Sequence, residues 1–209
     1  MAKLVVGTFL TLDGVMQAPG GPDEDRDGGF EHGGWLVPYF DDQLGQTMVD
    51  WTDRAASVLL GRRTYQIFAA HWPHVSGDDP IAAKLNSVPK YVASRTLGSV
   101  DWYNSTLLKG DAAEEVAALK QRTDGEIQVP GSCGLIQTLI RHDLVDEYRL
   151  CVFPVLLGAG KRLFGEGTLP AGLRLIGTRT SGTGVAIHVY ERAGGLDYGS
   201  FALEEERTR

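Results

Sequence analysis

The order of its elements predicts that this chain folds as an α/β protein, a mostly parallel sheet with an antiparallel end. Apolar strand-like runs alternate with helical ones from Lys3 to His142, and the chain then finishes on strands alone. Two of the early strands, within VLLGRRTYQI (58–67) and IQVPGSCGLIQTLI (127–140), run through glycine directly into a helix. A strand–glycine–helix junction leaves backbone N–H groups and the positive end of a helix dipole facing outward. Two such junctions in one small chain point to a split site gripping both ends of a dinucleotide.

Lys3–Leu12 is rich in Val, Leu, Thr and Phe and closes on Asp13-Gly14, a first strand ended by a turn. Pro19–Gly34 (PGGPDEDRDGGFEHGG) is a long glycine- and acid-rich loop of the kind used as a lid or binding loop. Its acidic run, Asp23–Asp27, lacks calcium-loop spacing and reads as solvated. Leu36, Tyr39, Phe40, Leu44, Met48 and Trp51 are spaced for an amphipathic helix over Leu36–Ala55. Ser57–Leu60 is the second strand and Arg62–Ala69 a short helix; His71–Asp79 is loop, followed by a short helix up to Ser87. Pro89–Ser94 and Val100–Tyr103 read as strands three and four, and Asp111–Arg122 as a helix opening on an Asp cap. Glu126–Val129 is strand five, Leu135–His142 a helix, and Glu147–Val155 strand six. Leu173–Thr180 and Val185–Arg192 form a hairpin across Ser181–Gly184. These elements make one domain over 1–193 and leave 194–209 as a polar tail.

The chain has 209 residues, a net charge of −7 and a pI near 5.2. That balance argues against nucleic acid as the partner, since a phosphate backbone calls for a basic face. Two cysteines, Cys133 and Cys151, imply no disulfide framework and suit a reducing cytoplasm. No stretch reaches the ~18 apolar residues of a membrane span, and MAKLVVGTFL runs into TLDG as a strand would. A cytoplasmic location and no membrane partner are therefore expected.

Gly61-Arg62-Arg63-Thr64 places two cations at a helix start, where the dipole disfavours them unless an anion is bound. Arginine here also favours NADP over NAD, whose sites carry an acid. Other motifs carry less. His71-x-x-His74 has no third ligand and a proline between, so no metal is expected. Gly158-Ala159-Gly160-Lys161-Arg162 lacks the rest of a phosphate loop; Lys161 or Arg162 is a substrate-phosphate contact or a surface charge.

LTLDG (10–14), LLGRRTYQIF (59–68), VASRTL (92–97), VPGSCGLIQTLIRHDLVDEYRL (129–150) and PVLLGAGKRLF (154–164) occur in the order found in the dihydrofolate reductase-like superfamily. The chain most resembles the branch containing the C-terminal reductase domain of the bifunctional riboflavin-biosynthesis deaminase–reductase. The resemblance implies a twisted sheet with helices on both faces, NADPH as cofactor, and hydride transfer to a pteridine- or pyrimidine-like heterocycle. It also implies a homodimer joined through the antiparallel end strands. Carried over residue by residue, it assigns cofactor contacts to Gly61, Arg62, Arg63 and Thr64, to Ser94 and Arg95, and to Gly131, Ser132, Cys133, Gly134 and Leu135. Cys133 stands where a small residue is usual and reads as packing rather than as a nucleophile. The zinc pattern of the deaminase half is missing.

On this frame Asp13 is either a turn residue or a catalytic neighbour of the nicotinamide. Asp41 or Asp42 supplies the proton that hydride transfer to C=N or C=O requires, or the pair simply starts a helix. Trp35 and Tyr39, with Phe40, are candidate aromatic walls for the substrate. Two other functions fit the same residues. One is a non-catalytic nucleotide- or pterin-binding protein; the other is the riboflavin-pathway reductase itself, which would need a site for a sugar phosphate.

Overall fold

The computed structural model describes residues 1–75 and 77–201. Eight strands form a single sheet: β1 (Lys3–Thr11), β2 (Ala55–Gly61), β3 (Lys90–Ala93), β4 (Ser105–Leu108), β5 (Glu126–Pro130), β6 (Glu147–Phe153), β7 (Gly172–Thr180) and β8 (Ala186–Gly194). Their spatial order is β4-β3-β2-β5-β1-β6-β8-β7. Every pair from β4 to β6 is parallel, and β8 and β7 continue the sheet antiparallel. Five helices connect the parallel strands: α1 (Asp42–Asp53), α2 (Arg62–His71), α3 (Pro80–Ser87), α4 (Ala112–Arg122) and α5 (Cys133–Arg141).

Alternation along the strands sorts their side chains to the two faces. Leu4, Val6 and Leu10 of β1, with Ile127 and Val129 of β5 and Leu150 of β6, face α4 and α5. From those helices Val116, Leu119, Ile136 and Leu139 complete that core. Each such side chain contributes roughly 1.5–3 kcal/mol of apolar burial. The opposite face carries two smaller clusters. Cys151 and Phe153 of β6 meet Trp35 and Leu44 near α1, while Val58, Leu60 and Val92 meet Tyr65 of α2 and Leu85 of α3.

Helix starts follow their caps. Asp41 accepts from the Leu44 N–H, Asp79 from Ala82 and Asp111 from Ala113 and Glu114. The long helix expected over Leu36–Ala55 is therefore shorter. Pro38 sits in a single 3-10 turn, Val37–Tyr39, Phe40 is extended, and the α-helix opens only after Asp41. The expected loops are likewise not wholly irregular, with short 3-10 turns at Asp27–Gly29 and Trp72–His74.

The fourth strand also departs from expectation: it is Ser105–Leu108, not Val100–Tyr103. Trp102 is held as a loop anchor instead. Its backbone N–H donates to Tyr65 Oη, its Nε1 to Asn86 Oδ1, and its ring lies 4.5 Å from the buried Lys90 ammonium. Lys90 donates to the carbonyls of Leu85, Asn86 and Val88, and burial pushes its pKa down to about 8. The hairpin runs one or two residues wider than expected, with β8 taking in Gly194, the first residue of the expected tail, of which residues 194–201 are described. No described helix is long and apolar enough to cross a membrane.

Candidate active site

The carboxyl ends of β2, β3, β4 and β5 open on one cavity of about 1360 Å³. That exceeds the ~300–1000 Å³ of a pocket for one small ligand. Gly61–Thr64, Ser94, Arg95, Lys109–Ala112 and Gly131–Leu135 all line it.

The two glycine junctions are distant in sequence and adjacent in space. β2 pairs with β5, and the Gly61 N–H donates to Ser132 Oγ across 3.0 Å. With its hydroxyl so engaged, Ser132 does not cap its own helix, and neither α2 nor α5 has a side-chain N-cap bond. The first-turn N–H groups of both helices, and both positive dipole ends, are left for an outside acceptor. Gly131 (φ +55°) and Ser132 (φ +67°) take the left-handed turn that brings the chain from β5 into α5.

Arg62 and Arg95 are exposed on the cavity wall, and among the described residues neither has an ion-pair partner. Ser94 Oγ accepts the Thr96 and Leu97 N–H groups, fixing the turn that presents Arg95. Arg63 is engaged. It pairs with Asp25 and with Asp27, and Lys161 reaches the same two carboxylates at 2.6 and 2.9 Å. The acidic run of the Pro19–Gly34 loop is thus not simply solvated: the Asp25 side chain is only 12% exposed. Hydrogen bonds from Arg63 and Lys161 hold the Asp27 carboxyl at about 2. Glu24 also lines the cavity, and burial raises its pKa.

The three candidate catalytic aspartates lie elsewhere. Asp13 accepts from the Thr11 hydroxyl and from the Leu157 and Gly158 N–H groups, and the Thr11 bond leads in lowering its pKa to about 2. It thereby fastens the turn after β1 to the 157–162 loop. Asp41 caps α1 and accepts from Thr183, with a lowered pKa caused first by the Leu44 N–H. Asp42 is exposed in the first turn of α1. None of the three lines the cavity.

Trp35 and Tyr39 do not line it either. Trp35 is buried, donates to the Gln17 carbonyl, and stacks edge-on with Phe153 at 5.4 Å; Tyr39 meets the same ring. Because α1 begins at Asp42, its Met48, Trp51 and Thr52, with Phe40 before it, form that wall. The Cys133 thiol donates to the Arg162 carbonyl, and burial raises its pKa, which fits packing and not nucleophilic use. Sequence reasoning missed Glu24, Asp25, Asp27, Gln128 and Arg149 as lining residues. The acids carried a usable signal, two aspartates facing a chain with paired arginines; Gln128 and Arg149 read only as strand residues.

The RibD C-terminal domain family matches residues 2–187. The uncharacterized protein YyaP of Bacillus subtilis is 30% identical over 193 residues, covering 90% of this chain and 94% of its own. Among solved structures, the Thermotoga maritima diaminohydroxyphosphoribosylaminopyrimidine deaminase/5-amino-6-(5-phosphoribosylamino)uracil reductase aligns with TM-score 0.60 at 13% identity. That alignment covers 92% of this chain and 57% of the Thermotoga one. Dihydrofolate reductase from Enterococcus faecalis, complexed with NADP(H), aligns with TM-score 0.57 at 12% identity over 91% of this chain and 96% of that one. The chain belongs to the RibD C-terminal domain family, and its fold is dihydrofolate reductase-like. Family and fold support a reductase-type function.

Proposed function

We propose that this member of the RibD C-terminal domain family is an NADPH-dependent reductase, passing a hydride to a small pteridine- or pyrimidine-like heterocycle. The observation that carries the reading is the pair of guanidiniums, Arg62 and Arg95, that no described residue pairs, beside two helix starts without a side-chain cap in one cavity. A dinucleotide phosphate needs several donors and positive charge at more than one point, and these groups supply both. Gly131, Ser132, Cys133, Gly134 and Leu135 would meet the pyrophosphate and nicotinamide end, with Gly61 and Thr64 across the stitched junction. Arg62, Arg95 and Ser94 would meet the adenosine phosphate.

When bound, the cofactor supplies the hydride. The chain's part is positioning and a proton. Glu24 is the cavity carboxyl whose proton affinity burial raises, and it replaces Asp13, Asp41 and Asp42 as the candidate donor.

Titration with NADPH and with NADH, followed by energy transfer from tryptophan to the reduced nicotinamide, tests the cofactor. NADPH is expected to bind at least about tenfold more tightly, because only it carries the extra phosphate for Arg62 and Arg95. No binding of either would overturn the reading.

We further propose a single domain over 1–193 and a homodimer that covers β7. This edge strand exposes Leu173, Leu175 and Ile176 side by side, and edge strands left bare invite pairing. Sedimentation should give a dimer that Leu175→Lys converts to monomer; a monomeric parent protein would refute the pairing.

A further inference from the structure

The loop of residues 19–34 has the length and glycine content of a lid, yet it is fastened at its neck and again along its acidic run. At the neck the Gly34 N–H donates to the Ala18 carbonyl and the Leu36 N–H to the Pro19 carbonyl. Gln17, only 4% exposed, holds the acidic run. Its Nε2 donates to the carbonyls of Asp25 and Asp27 at 3.1 and 3.0 Å. Its Oε1 accepts from the Lys161 N–H at 3.0 Å, and its own carbonyl accepts from the Trp35 indole at 2.8 Å. One buried amide therefore ties the acidic run to the 157–162 loop. Each of those bonds is costly to leave unmade.

Glu24 stands directly ahead of that anchor and lines the cavity. Its carboxylate accepts from the Gly20 N–H at 2.6 Å, and its N–H donates to the Gly21 carbonyl, so residues 20–24 close on themselves. Gly33 packs against the other side of this turn. A Cβ there would stand 2.8 Å from Pro22 Cα and closer still to the Gly21 carbonyl. Space, and not a left-handed backbone, is what requires glycine at that position.

The cations beside the loop are spent on other acids. Arg63 and Lys161 are matched by Asp25 and Asp27. The charge that acts on Glu24 is Asp25, of its own sign. Burial leads in raising the Glu24 pKa and Asp25 adds to it, against the Gly20 and Gly21 N–H groups. A carboxyl so placed keeps its proton to higher pH, as a general acid must. It does so only while the loop keeps water away.

We propose that Gln17 is a positioning residue: it locks the 19–34 loop as a fixed wall, and that wall holds the Glu24 carboxyl at the cavity for proton delivery. The inference deepens the reductase reading and rests on it for the use of the proton. The lock itself stands on the loop's own contacts.

In the ligand-free whole chain, the Glu24 carboxyl can be followed by 13C NMR and assigned by its loss in Glu24→Gln. Its midpoint should lie above the ordinary 4.5 in the parent protein. Gln17→Met keeps the side chain's length and removes its hydrogen bonds, so the midpoint should return toward 4.5 as water reaches the carboxyl. A glutamine that served stability alone would lower the melting temperature and leave that midpoint in place. Amide exchange at Gly34 and Leu36 should quicken by about tenfold or more in Gln17→Met, the scale of losing its hydrogen bonds. Gly33→Ala, which pushes the turn from its other side, should move the midpoint the same way. Should Gln17→Met fail to fold, as judged by circular dichroism, Gly33→Ala decides. A parent midpoint at or below 4.5, a midpoint that the deciding variant leaves unmoved, or parent loop amides that exchange as in an open chain overturns the inference. NADPH that fails to bind with this pattern intact would instead keep the lock and remove the reductase reading.

Discussion

Replacing Arg62 and Arg95 together by alanine is expected to lower NADPH affinity by about a hundredfold or more and to leave NADH affinity nearly unchanged. Both guanidiniums are exposed on the cavity wall and neither is neutralised by a described residue, so their charge is available without breaking a pair. A hydrogen bond to a charged group is worth roughly 1.5–3 kcal/mol, and two of them reach the hundredfold scale. The single variants should lose about tenfold each, Arg62→Ala the more surely because it stands at the uncapped start of α2. Fluorescence titration at fixed ionic strength measures all of this. Equal losses for both cofactors would put the arginines on the pyrophosphate instead, and no loss for either would remove them from the site.

The glycine junctions were legible because their chemistry is local. A strand running through Gly61 into Arg62, or through Gly131 into Cys133, shows its free N–H groups in the primary structure. What the sequence could not show was that Ser132 Oγ reaches over to the Gly61 N–H and so leaves its own helix uncapped. Elsewhere an apolar residue misled. Val100–Tyr103 looks like a strand because of Val100, Trp102 and Tyr103, yet Trp102 is committed to Tyr65, Asn86 and Lys90. The true edge strand, Ser105–Leu108, alternates too weakly to be seen. Arg149 was hidden for the opposite reason. A charge inside EYRLCVF looks like the solvent face of a strand, and only the fold brings Glu126, Glu147 and Lys3 around it.

The acidic loop carries the second large effect. Asp25 and Asp27 clasp Arg63 and Lys161, and all four line the cavity, so one cation at the start of α2 is withheld from any incoming phosphate. Removing both carboxylates as Asp25→Asn/Asp27→Asn releases two positive charges toward a ligand carrying about four negative ones. At a separation of about 10 Å in water each released charge is worth about tenfold in affinity, or about a hundredfold together at low salt. Screening over a Debye length of ~8 Å should cut this to a few-fold at physiological ionic strength. The loop itself should stay in place, because Gln17 Nε2 donates to the backbone carbonyls of Asp25 and Asp27 and not to their side chains.

Protonation does not open the clasp near neutrality. The folded pKa of Asp27 lies at about 2, below its ordinary value of 3.8. Its contribution is therefore complete above that ordinary value and fades only as pH falls through about 2. Between pH 5 and 8, roughly, the clasp should leave NADPH affinity flat, while added salt should narrow the gap between the parent protein and the double variant. Titrations at two salt concentrations decide the matter. A double variant that binds NADPH more weakly than the parent would mean that the closed clasp, rather than the freed Arg63, holds the cofactor.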